Sequence, residues 1–435
     1  MSCLSPSAAS SPARSSSGGC SRGTAVPHPS PSAGGLPGRG PLIVAALRTP
    51  LARAGTALRD VAVHDLLAPV LRGLVDRSGV PESLLADVVV GNAAGGGGNL
   101  ARLAALTAGL PESLPGVTVD RQCGSGLDAI VLACRLAQAG AGEAYLAGGA
   151  ESISTAPARG RRLADGSLEF YRRAQHAPLR EGEPEPGDPD MGFAAETVAR
   201  EAGVTRERQD ALALRSHTLA LAAASSGAYD GELVAVRAAG GVLVGEDNGP
   251  RARLDAKLLS RFPAAFVSGG TVTAGNSCFD ADGAAAVLVA TGEAVHALAL
   301  PVGSAALEFL GAQTVGVDPR RLGLGAAAAA ERLLGGLGVG VEDLAAVEFN
   351  EAFAGQVLAC TDRLGLVGER LDAVLNTDGG ALALGHAYGA SGAVSVVRLL
   401  ARAQSLPEGS LVLAMISSAG GLGTAALFRT ATARA

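Results

Sequence analysis

VDRQCGSGLDAI, residues 119–130, follows the short apolar run GVTV that ends at Val119 and leads into a helical pattern from Leu127 to Gln138, so Cys123 falls in the turn between a strand and a helix. The first N–H groups of a helix lack partners within it, and the helix dipole is positive at that end. A thiolate there is stabilised, which predicts a Cys123 pKa below the ordinary value of roughly 8.5. Gly124 and Gly126 carry no Cβ and leave the backbone open to close approach by a substrate. A cysteine in an apolar stretch is otherwise a buried, inert thiol; the glycine turn shifts the reading toward chemistry.

A second stretch, GGALALGHAYGASGAVSVVRLLARAQ (residues 379–404), repeats the design. His386 lies between an apolar run and a Gly/Ser turn that opens a helix. With Ser125-Gly126 laid on Ser391-Gly392, the following residues share their apolar periodicity, and the pairs Val131/Val397, Ala137/Ala403 and Gln138/Gln404 are identical. Two copies of one strand–turn–helix unit predict a duplicated α/β fold with a site between its halves.

In VEFNEAFAGQVLACTDRLG (residues 347–365) the pattern predicts a strand ending at Phe349 and a helix starting near Glu351. Asn350 then either points its amide into a cleft or caps the helix, a position asparagine favours. Cys123, Asn350 and His386 together form the set that acyl transfer requires: a thiol nucleophile, a base for its proton, and an amide to hold an oxyanion or an oriented water.

These residues carry a resemblance to the thiolase family that extends from about residue 41 to 429. It includes LIVAALRTPLARAGTALRDV, VVVGNAAGGGGNLARLAAL, TVDRQCGSGLDAI, LAGGAESIS, TRERQDALALRSH, TVTAGNSCFDADGAAAVLV, VGVDPRRLGLG, FNEAFAGQ and ALALGHAYGASGA. The resemblance implies a duplicated α/β/α/β/α core with an inserted loop domain. Residues 41–295 would form an N-terminal half that includes the loop domain at about 152–266, and residues 296–435 a C-terminal half. It implies an acyltransferase that takes a coenzyme A thioester as substrate and needs no cofactor, working as a cytoplasmic homodimer or homotetramer. Cys123 would take up the acyl group, His386 accept its proton, and Asn350 position a water that polarises the thioester oxygen. Backbone N–H groups at Cys123 and near the C-terminal glycine turn would hold the oxyanion. Met191, Ala274, Cys278 and Phe353 fall where the resemblance puts the coenzyme A arm.

The chain departs from the family at LVLAMISSAGGLGTAALF (residues 411–428). Thiolases carry Cys-x-Gly-Gly-Gly-x-Gly here, with the cysteine as the base for the proton alpha to the thioester. Aligning Gly420, Gly421 and Gly423 with the family glycines puts Ser417 at that cysteine and Ala419 at the first glycine. A serine hydroxyl is a much weaker acid than a thiol, which puts condensation and thiolysis in doubt. The family's Gly-His-Pro becomes Gly385-His386-Ala387, which loosens the backbone after the base because proline would fix φ. Gly-Asn-Ser-Ser-Gly becomes Gly275-Asn276-Ser277-Cys278-Phe279, with Cys278 either a relocated base or a small side chain beside a Phe279 that narrows the pocket. Asp190 replaces the histidine before Met191-Gly192, and Arg159, Arg161, Arg162, Arg172 and Arg173 are candidates to bind nucleotide phosphates or are simply solvated.

The chain has 435 residues, 48% hydrophobic and 17% charged, long enough for two large α/β halves. A net charge of −6 leaves no basic footprint for nucleic acid. The six cysteines form no CxxC or Cys/His cluster, which argues against structural zinc and a disulfide framework. No apolar run has the length to span a bilayer. Residues 1 to about 40 are Ser, Pro, Gly and Ala without Asp or Glu, the composition of a disordered tail. A transit peptide or an overlong reading-frame start are the other readings. Lys257 is the single lysine among 35 basic residues, a bias of GC-rich genomes.

Three classes of function fit: a thiolase-like acyltransferase with condensation slowed or lost, a decarboxylative condensing enzyme of the ketosynthase kind, and a non-catalytic acyl-CoA-binding homologue. The intact Cys123, Asn350 and His386 argue against the third, and the thiolase-like text throughout favours the first.

Overall fold

A computed structural model describes residues 40–171 and 189–433. The tail expectation for residues 1–39, and Arg172 and Arg173, lie outside these.

The N-terminal half runs β1 (Leu42–Arg48), α1 (Val63–Ser78), β2 (Leu85–Gly91), α2 (Leu100–Thr107), β3 (Gly116–Val119), α3 (Ser125–Gln138) and β4 (Ala144–Glu151). An insertion follows, with a hairpin of β5 (Arg159–Arg162) and β6 (Leu168–Tyr171) and two helices, α4 (Met191–Glu201) and α5 (Arg206–Ser225), before β7 (Ala281–Ala290) closes the half. The C-terminal half runs β8 (Ala305–Gly316), α6 (Gly325–Leu337), β9 (Leu344–Phe349), α7 (Ala354–Leu364), α8 (Tyr388–Ala403), β10 (Leu411–Ser418) and β11 (Leu422–Thr432).

The duplication expected from the two Ser-Gly turns is written in the strand pairing. In the first half β1 pairs antiparallel with β7, β7 antiparallel with β4, β4 parallel with β2 and β2 parallel with β3. In the second, β8 pairs antiparallel with β11, β11 antiparallel with β10, and β10 parallel with β9. The counterpart of β3 has shrunk to one parallel bridge, Val347 to Leu375. The insertion between β4 and β7 takes the place of the tight turn at Gly420 and Gly421. Leu42 and Ile43 of β1 pair with Glu308 and Leu307 of β8, and this joins the halves into one sheet, ten-stranded among the described residues with the two-residue strand Ala52–Arg53 on β7 as the tenth.

The sheet folds around α3 and α8, which pack on each other in the middle. Helices α1 and α2 cover the outer face of the first half, and α6 and α7 that of the second, giving the expected α/β/α/β/α layering. A helix in the middle layer must be apolar all round, and nearly every residue of α8 is buried. The two duplicated glycines allow the helices to touch. A Cβ on Gly126 would sit 2.5 Å from the Gly389 carbonyl oxygen, and one on Gly392 would sit 2.6 Å from the Leu127 nitrogen. Gly126 thus serves helix packing, a correction to its reading as a substrate approach. No helix among the described residues is long and apolar enough to cross a membrane.

Candidate active site

Cys123 occupies the turn between β3 and α3, as the sequence predicts. Gln122 adopts φ 52°, a left-handed conformation costly for a residue with a long side chain. Ser125 holds it there: its Oγ donates to the Gln122 carbonyl oxygen at 2.6 Å and accepts from the Arg121 N–H at 2.7 Å. The thiol does not have the lowered pKa expected. Burial pushes it up to about 11, against the pull of the backbone N–H groups of Ala419 and of Cys123 itself. Partial charges at a helix end do not offset the loss of water around a residue that is only 9% exposed and has no cationic partner among the described residues.

His386 precedes α8 in the second copy of the turn. Its Nδ1 lies 2.7 Å from Ser391 Oγ, and its Nε2 is buried without a hydrogen-bond partner among the described residues. Burial lowers its pKa to about 4, so the imidazole is neutral at ordinary pH. Ala387 does not loosen the backbone as expected. The His386 N–H donates to the Phe279 carbonyl and its carbonyl accepts from the Ala281 N–H, so the neighbouring segment clamps it from the side.

Asn350 follows β9 directly, but α7 begins at Ala354 rather than near Glu351, and Phe353 rather than Asn350 stands at the cap. The three residues between are extended or turned because Glu351 is tied elsewhere. Its buried carboxylate accepts from Ser216 Oγ, Asn376 Nδ2 and the Leu382 N–H, at 2.7, 2.8 and 3.2 Å. Asn350 is thereby freed from capping, and its Nδ2 is buried without a partner among the described residues. Asn350, Gly385 and Ser391 line one small cavity of about 30 Å³, enough for a single water.

Ser417 is committed to hydrogen bonds of its own. Its Oγ donates to the Gly323 carbonyl at 2.8 Å and accepts from the Ala326 N–H at 2.9 Å, capping the first turn of α6 on the outer face of the sheet. Successive strand side chains face opposite ways, so the next residue, Ser418, faces the Cys123 turn. A Cβ on Gly124 would lie 2.9 Å from Ser418 Oγ.

Of the residues expected at the coenzyme A arm, Met191, Cys278 and Phe353 pack in one cluster with Ala195, Val272 and Ala352, and Phe266 meets the Phe353 ring edge-on at 6.0 Å. Ala274 is exposed on the adjoining turn. Buried Asn276 shapes that turn: its Oδ1 accepts from the Thr273 N–H at 2.8 Å and its Nδ2 donates to Asp210 of α5 at 2.9 Å. The Cys278 thiol lies within electrostatic reach of Cys123, and burial raises its pKa. The Phe279 ring turns to the other side, under the Arg53 guanidinium and against Gly249 and Gly385. Asp190 is exposed. Arg159 donates to the carbonyls of Ala93 and Gly95, Arg161 pairs with Glu169 and Arg162 with the Gly166 carbonyl. Each of these arginines is already engaged within the chain.

Sequence reasoning missed Ser391, Ser418, Tyr388 and Asp280. For Ser391 a signal existed, since it is the duplicate of Ser125.

A family model of the thiolase N-terminal domain matches residues 42–293, and one of the C-terminal domain residues 305–430. A putative acetyl-CoA C-acetyltransferase, VraB, of Staphylococcus aureus (strain MRSA252) is 40% identical over 391 residues, covering 89% of this chain and 98% of the relative. A protein of the same name from Staphylococcus epidermidis (strain ATCC 12228 / FDA PCI 1200) is 39% identical over 392 residues, with the same coverage. The crystal structure of the Bacillus anthracis acetyl-CoA acetyltransferase matches with a TM-score of 0.80 and 33% identity, over 90% of this chain and 99% of that one. With both domain models lying over the two halves of a duplicated fold, and relatives matched along almost their whole length, the chain belongs to the thiolase family of acyltransferases.

Proposed function

We propose that the protein takes an acyl group from a coenzyme A thioester onto Cys123 and passes it to an acceptor, with carbon–carbon condensation and thiolysis impaired. The observation that carries this is the pair of buried polar atoms without hydrogen-bond partners among the described residues, His386 Nε2 and Asn350 Nδ2, with the Cys123 thiol within electrostatic reach of Tyr388, whose ring packs on His386. Unsatisfied buried groups cost about 1–3 kcal/mol each, and a substrate that supplies their partners removes that cost.

In this reading His386 Nε2 takes the Cys123 proton as sulfur attacks the thioester carbon, then gives it to the departing coenzyme A sulfur. The N–H groups of Cys123 and Ala419 hold the oxyanion, and Asn350 holds a water or the thioester oxygen. Met191, Cys278, Phe353 and Ala274 border the pantetheine arm. The alpha-proton step lacks the family's cysteine base: Ser417 is committed to Gly323 and Ala326, and Ser418, which faces the Cys123 turn, carries only a weakly acidic hydroxyl. Self-association as a homodimer or homotetramer is part of the proposal, supported by exposed Leu103, Leu106 and Val117 at the free sheet edge and by Leu168 and Phe170 on the hairpin.

Intact-mass measurement after incubation with acetyl-CoA tests the first half: the wild type gains an acetyl group and Cys123→Ala does not. Parallel incubation of the acyl-enzyme with acetyl-CoA and malonyl-CoA tests the second. Ketoacyl product from acetyl-CoA at ordinary enzymatic rates, of order 1–10³ s⁻¹, overturns the impairment. Product from malonyl-CoA alone, with CO2 release, identifies a decarboxylative enzyme instead.

A further inference from the structure

The fold lays two departures from the thiolase pattern side by side. The segment after Cys278 and the segment after His386 run parallel, bridged at Asp280 and His386. Where they meet stands a side-chain pair that the chemistry above does not use. Tyr388 donates its phenol O–H to Asp280 Oδ1 at 2.5 Å. The Tyr388 ring meets the His386 ring edge to face, with centroids 5.0 Å apart, and lies within electrostatic reach of both Cys123 and Cys278. Tyr388 is half-buried, whereas Asp280 is exposed. Among the described residues Tyr388 is the only side chain bonded to the Asp280 carboxylate, and no ion pair reaches it. An uncompensated negative charge therefore stands beside the reaction centre, linked to it through one phenol oxygen.

We propose that Tyr388 and Asp280 serve the acyl acceptor, and that this acceptor is a primary amine. This rests on the acyl-enzyme at Cys123. The carboxylate attracts an ammonium and repels an anionic acceptor. Once bound, the ammonium loses one proton to water, and its nitrogen lone pair attacks the acyl carbon. A C–N bond forms as the C–S bond to Cys123 breaks, and the electron pair leaves on the Cys123 sulfur. The second nitrogen proton passes to the Tyr388 oxygen as the phenol proton passes to Asp280. Asp280 then returns that proton through Tyr388 to the Cys123 thiolate, so the one net proton released is the one the ammonium gave to water. An attacking amine nitrogen becomes acidic as its bond to carbon forms, so this step does not need the strong base that a carbon acid requires. Tyr388 touches the acceptor and is the catalytic residue; Asp280 positions it, receives its proton and selects the cation.

The test starts from acyl-enzyme formed with acetyl-CoA and freed of coenzyme A, to which ethylamine or ethanol is added at equal concentration. Loss of the acetyl group is followed by intact mass, and product by mass spectrometry. In the wild type, ethylamine clears the acyl group faster than ethanol and yields N-ethylacetamide. Tyr388→Phe slows the amine reaction by roughly 10²-fold, the ordinary contribution of proton transfer by a placed group. Asp280→Asn lowers the preference for amine over alcohol about fivefold, the size of one partly screened charge interaction. A loss that is equal for both acceptors in Asp280→Asn marks a merely structural role and overturns the proposal. So does an amine that clears the group no faster than ethanol or buffer. Failure of the wild type to acylate appears before any amine is added and overturns the reading of Cys123 instead.

Discussion

Ser391 Oγ lies 2.7 Å from His386 Nδ1, on the first turn of the helix that the histidine introduces. In the first copy of the same unit, Ser125 holds the backbone of the Cys123 elbow. Duplicated serines thus hold both turns, one through the main chain and one through the imidazole. Because the hydroxyl occupies Nδ1, Nε2 is the nitrogen free to serve the thiol and the substrate in the proposed reaction.

Removing that hydroxyl frees the ring to rotate and to change tautomer. We expect Ser391→Ala to slow acylation of Cys123 by acetyl-CoA by roughly 10–10²-fold, within the range that a placed base contributes. Ser391→Thr restores most of the rate. Rapid-quench measurement of acyl-enzyme formation checks this; an Ala variant as fast as wild type sinks the assignment.

The buried thiol makes a second expectation. With a pKa near 11, roughly one Cys123 in 10⁴ is thiolate at pH 7 in the free enzyme. Alkylation of Cys123 by iodoacetamide is then slow at neutral pH and climbs about tenfold per pH unit up to about pH 10. A rate that levels off near pH 7 means that the thiolate is already formed and that the helix end outweighs burial.

Two neighbouring serines give a paired test. Ser417→Ala leaves the Ala326 N–H and Gly323 carbonyl without their partner, and we expect a loss of about 1–3 kcal/mol by urea unfolding. Ser417→Cys puts its thiol on the outer face and leaves exchange of the acetyl-CoA alpha protons with deuterated water unchanged. Ser418→Cys faces the Cys123 turn and raises that exchange. If the two thiols act the other way round, Ser417 occupies the base position after all.

What the sequence made legible was the part set by local pattern. The Val119 strand end, the Cys123 and His386 turns and the Ser-Gly repeat depend on residues within a few positions of each other, and each stands where the pattern puts it. Four features depended on distant contacts. Which way Ser417 faces is a matter of strand register against α6, and an alignment carries no side-chain direction. The Cys123 pKa follows from how completely two sheet halves and two helices exclude water, a property of the closed fold. The late start of α7 follows from Ser216, Asn376 and Leu382 capturing Glu351, partners up to 135 residues away. Tyr388 and Asp280 are 108 residues apart and become a pair only where the two segments bridge.

Two buried histidines make stability sensitive to acid. His386 and His217 both have pKa values lowered from 6.5 to about 4, His386 by burial alone and His217 by burial and then by the nearby Arg251 and Arg53. Between these values the unfolded chain binds more protons than the folded one, so unfolding becomes easier as pH drops through 6.5 and the loss is complete below about 4. Each lost proton site is worth at most about 3 kcal/mol over that window, at about 1.36 kcal/mol per pH unit. Burial raises the Glu348 carboxyl to about 7 and works in the opposite sense over the same window, so the test is differential: between pH 6.5 and 4 the urea midpoint of His386→Gln should fall less steeply than that of the wild type, with the two parallel above pH 7. His217 accepts the Arg251 N–H at 3.2 Å on its Nδ1, so protonation there also breaks a hydrogen bond. A variant midpoint that falls as steeply as the wild type's would mean that the His386 imidazole gains water, and with it charge, without unfolding.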